Sequence, residues 1–120
     1  MSDIKSYKDL VVWKKSMNLV VEIYELTNFF PKSEIYGLVS QMRRASVSIP
    51  SNIAEGKRRG SLGDYRRFLR IAYGSGAELE TQIEISKRLS FNMDLDFKKV
   101  DKLLDEIMRM LNSLIFKLRS

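Results

Sequence analysis

Chemistry in this chain has to be built from carboxylates, hydroxyls and cations, because the sequence has neither histidine nor cysteine. Without histidine, the commonest general base and the commonest zinc or di-iron ligand are absent. Without cysteine there is no thiolate nucleophile and no disulfide framework. The carboxylates that could act are Glu55, which sits alone, and Glu78, Glu80 and Glu84. Glu80 and Glu84 are four residues apart and could gather a hard cation, but a solvated helix face explains that spacing more simply. Gly60-Ser61-Leu62-Gly63 lacks the Gly-Lys-Ser/Thr ending of a phosphate-binding loop. No catalytic residue, metal site or cofactor is expected, and the chain reads as a non-enzyme.

The distinctive chemistry is cationic. Of 21 lysines and arginines, eight lie between Arg43 and Arg70, with only Glu55 and Asp64 opposing them. The rest of the sequence carries thirteen charges of each sign, so the net charge of +6 is local. A local excess points to a polyanionic partner more strongly than a uniformly basic composition does. A length of 120 residues predicts one domain over residues 1–120 with room for a buried core. No apolar run approaches the roughly 20 residues that span a bilayer, and Met1–Leu10 is neither a secretory nor a transit segment. A soluble, cytoplasmic protein without a membrane partner is expected.

The elements that must position these cations are helices, since apolar residues recur at three- and four-residue steps. A first helix is expected from Ser6 to about Asn28, with a stripe of Leu10, Trp13, Met17, Val20 and Tyr24. Pro31 breaks it, and Ser33 can cap the next. The second helix should bury Leu38, Val39, Met42, Ser46, Ile49 and Ile53. Pro50 lies inside that pattern. The stripe resumes in phase at Ile53, so a continuous helix kinked at Pro50 is expected. Gly56 and Gly60 end it, and Ser61 caps a third helix whose apolar face is Tyr65, Phe68, Leu69, Ala72, Gly76, Leu79 and Ile83. A fourth helix, from near Asp94, carries Val100, Leu104, Ile107, Leu111, Leu114 and Leu118. The expected fold is all-α, an antiparallel up-down four-helix bundle.

Two helices carry more apolar surface than one stripe requires. Helix 1 adds Val12, Leu19, Ile23 and Leu26; helix 4 adds Leu103, Met108, Met110 and Ile115. That surplus predicts a homo-oligomer. Gly74 and Gly76 inside helix 3 predict close approach of a neighbouring helix, within the chain or across subunits.

Not every cation is free. With helices 2 and 3 turning near Gly60, Arg43 and Arg44 fall level with Glu78 and near Glu80, so a salt-bridge role is expected for them. Glu55 falls level with Arg66 and four residues before Arg59, a favourable pairing. Lys57, Arg58, Arg59, Arg67 and Arg70 remain as the expected polyanion contact, spread over about 15 Å from the turn into the next helix. Arginine forks suit phosphate, and nothing in the sequence reads bases.

Asp9–Ser16 (DLVVWKKS), Phe30–Gly56 (FPKSEIYGLVSQMRRASVSIPSNIAEG) and Gly74–Ser86 (GSGAELETQIEIS) resemble the 23S rRNA intervening-sequence proteins. The most specific part is RRASVSIPSNIAEG, so Arg43, Arg44, Pro50, Asn52, Glu55 and Gly56 fall on motif positions. The resemblance implies a four-helix bundle assembled as a ring-like homopentamer without established enzymatic activity. It further implies kinship with the accessory variability protein of diversity-generating retroelements, which binds nucleic acid through a basic surface. Many relatives have a shorter or differently charged segment where this chain has Lys57–Arg67, so nothing is carried over to it from the resemblance, and its role rests on charge alone. Two readings follow: an oligomeric bundle binding RNA or DNA backbone without sequence preference, or an interaction scaffold whose basic elbow docks an acidic, unidentified protein partner.

Overall fold

The computed structural model describes residues 6–89, 91 and 94–118. These form four α-helices and no strand: α1 Val11–Thr27, α2 Ser40–Arg58, α3 Leu62–Leu89 and α4 Lys98–Lys117. The body is elongated, 52 × 21 × 19 Å. Side-chain pairs fix the register. Ser48 meets Ser75, and Met42 meets Ser86. Lys15 and Glu22 of α1 reach Glu106 and Lys99 of α4. Arg66 and Lys87 of α3 reach Ile115 and Asp101 of α4. Tyr7 lies beside Arg58, whereas Thr27 lies beside Arg43. In each neighbouring pair, ascending positions on one helix meet descending positions on the other, so all four contacts are antiparallel.

The core faces of α2 and α3 are those their spacing predicts. Met42, Ser46, Ile49 and Ile53 are fully buried, as are Leu69, Ala72 and Leu79. Ser46 is tolerated because its hydroxyl donates to the Arg43 carbonyl at 2.8 Å. α2 passes through Pro50 as one helix, the continuity its in-phase stripe predicts; ahead of it, Gly37 is non-helical within a π-turn spanning Ile35–Val39. The first helix differs from expectation. Ser6 caps a 3-10 turn, Tyr7–Asp9, by accepting from the Lys8 N–H, and Leu10 is extended before α1 begins. The buried face of α1 is also shifted by one residue from the expected stripe after Leu10, which is buried as expected. Val12, Ser16, Leu19, Ile23 and Leu26 are buried, whereas Met17 and Tyr24 are exposed and Trp13 and Val20 half-buried. Ser16 hides this stripe from a hydropathy reading, yet its hydroxyl donates to the Trp13 carbonyl at 2.8 Å, so it can sit in the core. The branched aliphatics go inward; Tyr24, with a polar tip, stays at the surface. The surplus on α4 is taken up within the chain: Met108 is buried, and Leu103, Met110 and Ile115 pack against the core. α4 opens at Lys98 rather than near Asp94.

Two glycines bring helices together. A Cβ on Gly56 would lie 2.6 Å from Phe68 Cβ and 3.3 Å from the Tyr65 carbonyl oxygen. One on Gly76 would collide with Met108 Sδ. Gly74 meets nothing within 4 Å. The close approach expected at the Gly74–Gly76 pair therefore belongs to Gly76 alone within the chain.

Candidate nucleic-acid interface

The bend between α2 and α3 is made by three local devices. The Arg59 N–H donates to the Glu55 carbonyl at 3.1 Å, closing the last turn of α2. Gly60 has φ +88°, a conformation open to glycine and strained for other residues. Ser61 Oγ accepts from the Asp64 N–H at 3.1 Å and starts α3. Below the bend, the Gly56–Phe68 contact holds the two helices close.

All five expected contact residues are exposed, and they gather at this end of the bundle. Four of them sit over aromatic rings. Lys57 Nζ lies 5.2 Å from the Tyr65 ring centroid, and Arg58 Cζ 5.6 Å from that of Tyr7. Arg59 and Arg67 both face the Phe68 ring, at 5.0 and 4.5 Å. Arg70 is exposed and has no side-chain partner among the described residues. The rings restrict where these long side chains point, and each contact is worth about 0.5–1 kcal/mol at an exposed site.

Two of the five are paired with nearby acids: Arg59 with Glu55, as their four-residue spacing predicts, and Arg67 with Asp64, which the comparison of levels did not predict. Arg59 donates to Glu55 Oε2 at 2.8 Å, and Arg67 lies 3.7 Å from Asp64 Oδ1. The hydrogen bond from Arg59 to Glu55 raises the guanidinium's pKa above its ordinary value, so it stays charged. Both pairs are short-range within a helix and about half-exposed, with side chains 48% and 51% accessible for Arg59 and Glu55. Water and salt screen such pairs, so the carboxylates are exchangeable partners rather than locks. Burial pushes the Tyr65 phenol up, so this ring stays neutral beneath Lys57.

Other pairings also depart from the sequence reading. Arg66 does not reach Glu55; its Nε donates to the Ile115 carbonyl at 3.1 Å, tying α3 to the end of α4. Arg43 turns to α1 rather than to the glutamates of α3. It donates to Thr27 Oγ1 at 3.0 Å and Asn28 Oδ1 at 3.0 Å, and stacks 4.5 Å from the Tyr24 ring. Arg44 is exposed without a side-chain partner among the described residues, as are Glu78, Glu80 and Glu84. Level alone does not pair them: the Ser48–Ser75 contact puts Glu80 level with Arg43, but the Arg43 side chain is held on the α1 side. Of the remaining motif residues, Pro50 is buried, and Asn52 Nδ2 donates to Ser48 O at 2.8 Å and Ser48 Oγ at 2.9 Å. That serine bonds Ser75 Oγ at 2.7 Å, so the motif fixes the α2–α3 register.

Sequence reasoning missed the three rings beneath the cations. Tyr65 and Phe68 were readable only as core positions, and Tyr7 as a helix-1 residue; the lysine and arginines beside them become neighbours through the fold. A second surface lies across α1 and α2, where Tyr24, Tyr36, Arg43, Arg44 and Val47 line a cleft of ≈ 610 Å³. Tyr36 is 97% exposed there. Among the described residues, no three acidic side chains converge as a metal site, and no helix is long and apolar enough to cross a membrane.

The family model described as 23S rRNA-intervening sequence protein matches residues 8–113. The chain is also similar to the crystal structure of a protein of unknown function from the S23 ribosomal protein family of Bacteroides thetaiotaomicron. The two share 27% identity and a TM-score of 0.78, over 88% of this chain and 95% of the other. No curated protein matches the chain.

Proposed function

Because the chain belongs to the 23S rRNA-intervening sequence protein family, we propose that it works as a non-enzymatic homo-oligomer, a pentamer on the family resemblance, that binds nucleic-acid backbone through its α2–α3 elbow. The observation that carries this reading is the gathering of Lys57, Arg58, Arg59, Arg67 and Arg70, all exposed, at one end of an elongated bundle. Their rings are covered by cations, which favours phosphate contact over base stacking. Each copy offers only a few phosphate contacts, so the single site is weak; repetition around an assembly raises its avidity. A cytoplasmic setting belongs to the same proposal.

The test is titration of labelled RNA and DNA at several salt concentrations. Affinity should fall steeply as salt rises, without preference for sequence. Replacing Arg58 and Arg59 by alanine should weaken binding and lower the salt slope by about two phosphate contacts. Unchanged binding removes these two residues from the site. Capture of an acidic protein by the wild-type elbow after nuclease treatment, with no binding of purified nucleic acid, replaces the reading with the scaffold one.

A further inference from the structure

We propose that Arg59 and Arg67 form a clamp for a single phosphodiester group, with the buried Phe68 ring as its platform. This rests on the nucleic-acid reading above and names the element of the elbow that binds most tightly. The two arginines come from opposite sides of the bend: Arg59 follows α2, and Arg67 lies in α3. One ring nonetheless holds both, at 5.0 and 4.5 Å from its centroid. Phe68 is 7% exposed and packs against the backbone of Gly56, so the platform sits in the close joint between α2 and α3.

The free protein already carries a rehearsal of the ligand. Glu55 accepts from Arg59 Nη2 at 2.8 Å, and Asp64 approaches Arg67 Nη2 at 3.7 Å. Both acids are on the arginines' own helices and partly exposed. A phosphodiester offers two non-bridging oxygens and one negative charge. It can accept from both planar guanidiniums at once, which neither carboxylate does here. Lysine in either position would keep the charge but lose the planar fork. Among the described residues, Lys57, Arg58 and Arg70 each have a different setting: one ring or none, and no carboxylate in salt-bridge contact. They supply long-range attraction, whereas the clamp supplies geometry.

The double variant Arg59→Lys, Arg67→Lys separates these contributions, because net charge is unchanged. Binding of a fluorescent oligouridylate should weaken by about tenfold, with the salt slope kept. Phe68→Leu, which keeps the core apolar but removes the ring, should show a similar loss, with its helical circular dichroism preserved. Should Phe68→Leu fail to fold, the double lysine variant decides alone. Wild-type affinity in the double lysine variant overturns the clamp while leaving the elbow as a charge-only site. Absence of salt-dependent oligouridylate binding by the wild type overturns the elbow reading itself, and the clamp with it.

Discussion

Gly56 and Gly74 are chemically identical residues in helical backbone, and the structure assigns them opposite tolerances. At Gly56 an added methyl meets Phe68 Cβ and backbone of Tyr65, neither of which can swing aside. Gly56→Ala should lower stability by about 1–3 kcal/mol, through overpacking at the joint beneath the elbow. At Gly74 the added methyl enters open space. Gly74→Ala should therefore raise the stability of the isolated chain by up to about 1 kcal/mol, through helix propensity. Urea unfolding midpoints of the two variants check both signs. The glycine pattern was visible in the sequence; which glycine touches what was not, because that depends on the register of α3 against α2 and α4. The same limit applies to Arg67. Its i,i+3 acid, Asp64, was in plain view, but comparing levels across the hairpin hid a partner on its own helix.

At the scale of elements, α1 and α4 are joined by two ion pairs across their groove, Lys15–Glu106 at 2.8 Å and Lys99–Glu22 at 3.0 Å. The hydrogen bond from Lys15 holds the Glu106 carboxyl below its ordinary value. Its folded pKa is therefore depressed relative to the unfolded chain. The corresponding stability is present above the unfolded value of about 4.3 and is lost as pH falls through the lower, folded value. Denaturant midpoints measured from about pH 6 down to about pH 3 should show this acid-side loss, reduced in Lys15→Met. Both groups are solvent-facing, so the effect should be small and shrink with added salt. The faces of α2 and α3 were legible because each carries one apolar stripe bounded by charge. That of α1 was not, because both of its stripes are apolar and the buried one contains Ser16. Which stripe wins is decided by shape and hydrogen bonding, as with Ser16 and Thr27, whose hydroxyls donate back to their own helix at 2.8 and 2.7 Å.

Over the whole molecule, the one-residue shift in the buried face of α1 relocates the surface available for assembly. The exposed apolar residues on that side are Met17 and Tyr24 of α1, Val47 of α2, and Ile35 and Tyr36 of the π-turn. The homo-oligomer proposed above would cover this side of the bundle. Tyr36→Ser with Val47→Glu should shift the mass measured by light scattering toward that of one chain while leaving the helical spectrum intact. An unchanged mass removes this face from the assembly. The bundle itself was readable from spacing, punctuation and family resemblance together; this face was misassigned because hydropathy cannot tell an inner stripe from an outer one.

The antiparallel arrangement has one more consequence. At the elbow end, the positive starts of α1 and α3 stand beside the negative finishes of α2 and α4, so the peptide dipoles largely cancel. The electric field a polyanion meets there is written mainly in side chains. It can be erased or rewritten one head group at a time, by substitution or by acylation of Lys57, with the backbone scaffold left as it is.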